Sequence, residues 1–397
     1  MSSSFRNNIK ILVINKGIEV VFPLIFIPLL ITGYSLDAYG EYFLAQTIVA
    51  FLVIIIELGA APLLLKRALS HRGALLVANL FIVKLIALVI VVGCIAMSVS
   101  YGYSSSMLAY MTLFLVAELF NYNIWYATNG YGQTVIKIQV IVKSVILLVI
   151  LCSIFKGVAI EIIAIMHGAL LFLPNLCLIL YRRKDFQKVT LRVYIIKVII
   201  KNSYNIVSYR IISASLMPIL SILINQNLGA TTLGKFGILQ RISSLIMKLC
   251  EPIVLAFIKE KSKTSLLKEK IKDIIAKHNL IAASLILTLC CIGILEVSTT
   301  IIEYNPGNIQ LLLLSILMGG VAVSNYYCCQ SAIAIRRNTS LKYVVSISAA
   351  ITIVTMILFF EYVSGRYQSL SVFIVVYLAP LSLITISYRF IFGRMLK

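Results

Sequence analysis

Charge is what this sequence has little of. Only 12% of its 397 residues are Asp, Glu, Lys or Arg, against about a quarter in an ordinary soluble domain. Aspartate is nearly missing: Asp37, Asp185 and Asp273 are the three present. No Asp-x-Asp pair is available to hold a divalent metal for a glycosyltransferase. A Gly-rich loop ending in Gly-Lys-Ser/Thr is also missing, so the chain has no phosphate cradle with which to hydrolyse a nucleotide by itself. The eight cysteines fall inside apolar runs, and none has metal-ligand spacing. They are expected to be small buried hydrophobes, with no metal site. His167 stands alone in an apolar run and is expected to pack rather than catalyse. These gaps argue against an enzyme.

What is present is grease. Hydrophobic residues make up 61% of the chain, with a mean hydropathy of +1.02. A membrane span needs about 20 apolar residues. Twelve segments qualify: 9–32, 39–60, 74–99, 105–128, 134–155, 158–180, 203–225, 234–258, 279–300, 309–334, 342–362 and 369–390. The expected fold is all-α, a polytopic membrane protein of about twelve transmembrane helices. MSSSFRNNIK leads straight into the first apolar segment without a small-residue cleavage site, so that segment is expected to remain as a helix.

The loops alternate in charge. Counted with the few residues at the edges of the neighbouring apolar runs, the two ends and the even-numbered connections carry 26 basic residues, while the odd-numbered connections hold only Lys156, Lys235 and Arg366. Basic loops stay in the cytoplasm, which places both termini there. The same loops account for most of the net charge of +21. They are expected to face anionic membrane lipids, not nucleic acid.

Six basic residues remain inside the apolar runs: Lys16, Lys84, Lys143, Arg210, Arg241 and Lys248. Glu19, Glu57, Glu118 and Glu251 lie among them. A charge at the bilayer centre costs about 2.5–3.5 kcal/mol on insertion scales, so embedded charges mark function by default. Arg241, Lys248 and Glu251 fall within an arc of about 80° on one helix face. On the expected fourth helix, Glu118, Asn121, Tyr122, Trp125 and Asn129 fall on one side and form a second stripe. A water-filled cavity with an excess of cations suits an anionic substrate, because Arg grips phosphate in a bidentate fork and Lys adds a point charge. Lys16, Arg210, Arg241 and Lys248 are the candidate substrate-binding cations. Glu118, Asn121 and Trp125 are candidates for holding sugar, and Glu19, Glu57 and Glu251 for coupling or charge balance. A structural reading stays open beside this one. Lys16, Arg210 and Arg241 can snorkel to an interface, Glu57 and Glu251 can offset nearby cations, and Trp125 can anchor at the interface.

The sequence also repeats. A shift of 194 residues sets Lys16 on Arg210, Gly40 on Gly234, Tyr42 on Phe236, Gln46 on Gln240 and Glu57 on Glu251. Two parallel six-helix lobes, 1–190 and 191–397, follow, with a substrate site between them.

The stretch 15–67, NKGIEVVFPLIFIPLLITGYSLDAYGEYFLAQTIVAFLVIIIELGAAPLLLKR, resembles the N-terminal region of the polysaccharide flippases. These are the O-antigen repeat-unit exporters of the multidrug/oligosaccharidyl-lipid/polysaccharide superfamily. The likeness lies in Asn15–Lys16, the prolines Pro23 and Pro28, the Tyr39–Gly40–Glu41–Tyr42 turn and Glu57–Leu58–Gly59. It implies a V-shaped pair of six-helix bundles that alternates access. The implied substrate is an undecaprenyl-diphosphate-linked oligosaccharide, moved across a bacterial inner membrane. H⁺ or Na⁺ coupling and other polysaccharide-assembly proteins as partners are further implications; no organic cofactor is expected. Lys16 is the nearest match to a cavity cation of the related lipid II flippases. Glu57 stands where these flippases often have Asp. A multidrug exporter of the same superfamily would want an acidic cavity. A major-facilitator transporter would usually carry a Gly-x-x-x-Asp-Arg-type second loop, which 61–73 lacks. A membrane glycan polymerase would need carboxylates and a large outer loop.

Overall fold

The computed structural model describes residues 25–57, 73–100, 106–126, 132–181, 192–261, 350–351 and 353–354. Among the described residues all regular structure is helical. Residues 25–33 are helical. They are followed by α1 (Leu36–Glu57), α2 (Gly73–Ser100), α3 (Ser106–Tyr110), α4 (Thr112–Leu119), α5 (Asn123–Tyr126), α6 (Gly132–Phe155), α7 (Ile160–Tyr181) and α8 (Val193–Lys261).

Among the described residues, five stretches are long and apolar enough to cross a bilayer: Leu36–Glu57, Leu75–Ser100, Gln133–Phe155, Ile160–Tyr181 and Arg210–Leu245. The shortest of them has 22 residues, about 33 Å of helix against about 30 Å of hydrocarbon. Their outward faces are apolar. In α2 Ile86, Val89, Ile90 and Met97 are exposed, and in α6 Ile141, Val145, Leu148 and Phe155. Steps of three and four put each set on one side of its helix. Continuous apolar faces of this kind are matched by lipid, not water. The protein is therefore a helical membrane protein.

The described residues fall into two compact units. One takes in those of Leu29–Ile222, the other those of Glu19–Pro28 and Leu223–Lys397. In the first unit α7 packs on α6 and α4, and α1 packs on α2, α3 and α4. Leu76, Val77 and Leu80 of α2 meet Tyr122, Tyr126, Val135, Leu178 and Ile199 in a buried core. Asn79, fully buried, accepts the Arg192 main-chain N–H at 2.9 Å and donates to the Leu75 carbonyl at 2.7 Å. It thereby ties the entry to α8 to α2.

The end of α6 shows how local sequence sets these boundaries. Gly157 has φ 66°, a left-handed conformation that costs other residues about 1–2 kcal/mol. The Val158 N–H reaches the Ser153 carbonyl at 3.1 Å and the Gly157 N–H reaches that of Ile154 at 3.0 Å. This is the paired capping that a glycine just past a helix allows. The Tyr34 hydroxyl then donates to the Val158 carbonyl. Burial, and next the Glu161 charge, push that hydroxyl above its ordinary pKa.

Two expectations are corrected here. Segment 105–128 is not one helix: it is broken into α3, α4 and α5, with Phe120, Asn121 and Tyr122 outside regular helix. Asn121 and Asn123 explain the second break, because asparagine side chains compete for main-chain partners and favour turns. The single polar stripe expected of that segment therefore does not exist as one helical face. Second, the expected connection at 226–233 is not a loop. Helix continues on both sides, and Gly229 alone departs from it, with φ 81° and ψ 170°.

That conformation is essentially reserved for glycine. An added Cβ at Gly229 would meet nothing within 4 Å. Gly229→Ala is thus expected to destabilise by about 1–3 kcal/mol through the backbone alone. Gly93, helical and also facing open space, is the control: Gly93→Ala should be neutral or slightly stabilising. Thermal unfolding in detergent measures both, and equal Tm values for the two variants would contradict the Gly229 geometry.

Candidate functional site

The break after α4 gathers three of the buried polar groups of the first unit, Lys84, Glu118 and Asn175. Lys84 projects from α2 with no exposed surface. Its Nζ lies 2.8 Å from Glu118 Oε1 and 2.9 Å from the Glu118 carbonyl. A third, longer contact of 3.5 Å reaches the Asn121 carbonyl. An ammonium has three N–H donors, and here all three have acceptors. The ring of Tyr122 lies under the same nitrogen, 5.0 Å from centroid to Nζ.

The remaining carboxylate oxygen is also held. Asn121 Nδ2 donates to Glu118 Oε2 at 2.9 Å. Asn123 Nδ2 bridges Asn121 Oδ1 at 3.0 Å and Asn175 Oδ1 at 3.1 Å. Asn175 Nδ2 turns back to the Ala117 carbonyl at 3.4 Å. The chain of contacts thus starts on α2, crosses the break and returns from α7 to α4. Asn175 follows Pro174, which sits inside α7 and removes one helical hydrogen bond. Phe120 fixes the break from the apolar side, edge-on to Phe81 at 5.9 Å and to Phe172 at 5.5 Å.

Electrostatically this cluster is closed. One ammonium faces one carboxylate, so Lys84 does not contribute an uncompensated charge to a cavity. That pair matches one of the six embedded cations with one of the four embedded acids and leaves the excess of cations unchanged. Glu118, expected to hold sugar, is buried and bonded to Lys84 and Asn121.

A second ion pair joins α1 to α8. Arg210 Nη2 lies 2.8 Å from Glu57 Oε2, with side chains 30% and 17% exposed. That exposure distinguishes it from the sealed Lys84 pair. Lys143 donates to Gln139 Oε1 on the same helix at 3.0 Å. His167 is buried, hydrogen-bonded to Tyr42 and edge-on to Phe114 at 4.8 Å. In the second unit, Arg241 is half-buried on α8 between buried Leu239 and Ile242.

Of the other expected site residues, Lys16 and Glu19 lie outside the described residues. Lys248 and Glu251 belong to α8 and Trp125 to α5, but their side chains lie outside the described ones, as does the whole of Asn129. The structure brings together Lys84, Glu118 and Asn121, and separately Arg210 and Glu57. The sequence reading missed Asn123 and Asn175. The signal for both was an amide inside an apolar run, in one case beside a proline. Among the described residues no group of three His, Cys, Asp or Glu side chains is placed to hold a metal.

Site and fold together define a helical membrane protein with buried and half-buried ion pairs inside its spans. Comparison with protein-family models, with curated proteins and with solved structures finds no match for this chain.

Proposed function

We propose that this protein is a flippase for undecaprenyl-diphosphate-linked oligosaccharide repeat units in a bacterial inner membrane. In this reading twelve spans form two six-helix lobes, with both termini in the cytoplasm, and alternate access to a cationic cavity. The carrying observation is the placement of Arg210 and Arg241 within the apolar stretch Arg210–Leu245. A diphosphate brings roughly two negative charges, and guanidinium groups are the side chains best shaped to receive them. The carrier's tail stays in lipid while its head group crosses.

The resemblance of residues 15–67 to the repeat-unit exporters supports the same reading, as does the 194-residue repeat that relates Lys16 to Arg210 and Glu57 to Glu251. Glu57 holds Arg210 when no substrate is present and gives way to phosphate. Glu19 and Glu251 serve as further balancing acids, with H⁺ or Na⁺ as the coupling ion. No chemical step is assigned to the protein, which acts as a transporter with the enzymes of polysaccharide assembly as its partners.

Deleting the gene is expected to trap the lipid-linked oligosaccharide on the cytoplasmic leaflet and abolish the surface polysaccharide. Mass spectrometry of extracted lipids, with glycan accessibility measured in spheroplasts, provides the test. Normal surface polysaccharide with no accumulated lipid intermediate would end the flippase reading.

A further inference from the structure

The Lys84 cage has the make-up of an ion site. Its walls are the Glu118 carbonyl, the Asn121 carbonyl, one Glu118 carboxylate oxygen and the face of Tyr122. Main-chain carbonyls, one carboxylate and an aromatic face are a ligand set for a monovalent cation. Two of the oxygens stand at 2.8 and 2.9 Å from the nitrogen, too far for Mg²⁺ at about 2.0–2.1 Å or Ca²⁺ at about 2.3–2.6 Å. The Glu118 carbonyl lies in the last turn of α4, where the helix dipole is negative, and also accepts the Asn121 main-chain N–H at 3.2 Å; the Asn121 carbonyl lies in the break itself. Asn121, Asn123 and Asn175 brace the carboxylate independently of the lysine. The cage is therefore built by the break, and the lysine tail delivers the cation into it.

We propose that Lys84 is a tethered cation filling a monovalent-cation site, one that accepts a free alkylammonium or potassium ion once the tether is removed. The native protein then carries a permanent cation at this point, and the broken fourth segment keeps its shape with no exchangeable ion there. This inference stands apart from the flippase reading, because it concerns occupancy of the cage and not the cargo.

The test uses full-length Lys84→Ala, which deletes the part of the side chain that n-propylammonium can replace. Thermal unfolding is followed in detergent against rising n-propylammonium chloride, potassium chloride and tetraethylammonium chloride at constant ionic strength. The variant should lose Tm relative to the wild type. n-Propylammonium should restore at least half of that loss, with a saturating dependence on concentration. Potassium should restore a smaller part, since it fills the ion position and leaves the tail's space empty. Tetraethylammonium, too large for the cage, should restore none. The wild type and Lys84→Ala/Glu118→Gln should not respond to n-propylammonium. No restoration by either small cation, or an equal response in the double variant, would overturn the proposal. If Lys84→Ala does not insert on its own, the readout becomes the amount of inserted protein from cells grown with and without n-propylammonium. Severalfold recovery supports the tethered cation, and equal amounts overturn it.

Discussion

Lys84→Met destabilises the protein by about 3–5 kcal/mol, and adding Glu118→Gln restores most of that loss. Methionine fills nearly the volume of the lysine stem, so packing changes little. What remains is a carboxylate among apolar helices, facing the end of α4 with its cation gone. Glu118 is 8% exposed and Lys84 not at all, so water cannot take over the ammonium's role. Removing one member of a buried pair leaves a bare charge, whereas replacing both with neutral groups of similar size is often neutral. The amide introduced by Glu118→Gln can still accept from Asn121 and carries no charge. The measurement is a double-mutant cycle on membrane-inserted protein, by thermal or denaturant unfolding. Additive losses for the two single variants would mean that Lys84 and Glu118 act independently, contrary to the 2.8 Å contact.

This pair also marks how far the amino-acid sequence could be read. The long helices α1, α2, α6 and α7 lie within a few residues of the apolar runs at 39–60, 74–99, 134–155 and 158–180. They are legible because membrane insertion responds to the summed transfer energy of about twenty residues, which no single residue overturns. The fourth segment failed on that same ground. Met107, Leu108, Leu113, Phe114, Leu115 and Val116 keep the average apolar across 105–128 and outweigh the polar stretch around Asn121 and Asn123, which breaks the helix. A summed signal does not register a break of three residues. The pairing of Lys84 with Glu118 was out of reach for a different reason. The two are 34 positions apart on separate helices, and no helical period relates such residues. Arg210 and Glu57 carry the same lesson in reverse. Each was visible as an embedded charge, and the repeat related Arg210 to Lys16 and Glu57 to Glu251, but nothing in it related Arg210 to Glu57; their contact at 2.8 Å appears only in three dimensions. Both ion pairs join charges that the sequence showed only one at a time.

Under the flippase reading, Arg210→Gln and Arg241→Gln each lower export about tenfold or more, while insertion stays normal. A charge-assisted hydrogen bond contributes about 1.5–3 kcal/mol, which is roughly 10- to 150-fold in occupancy. Arg210 is expected to respond in two ways, because it is already held by Glu57. A phosphate must displace a carboxylate to reach it, so binding there is an exchange and is correspondingly weak. Weakness is useful in a carrier: the head group has to leave on the far side, and transport depends on the difference in affinity between the two facing states. Glu57→Gln should therefore tighten capture but slow release, with a smaller net fall in export than Arg210→Gln. Arg241→Lys should keep much of the export that Arg241→Gln loses if charge is what matters. It should match Arg241→Gln if the fork geometry of the guanidinium is what matters. Surface polysaccharide in a flippase-null strain, normalised to inserted protein, gives the comparison. Wild-type export from Arg210→Gln and Arg241→Gln alike would remove the phosphate role, leaving Arg210 as the ion-pair partner of Glu57.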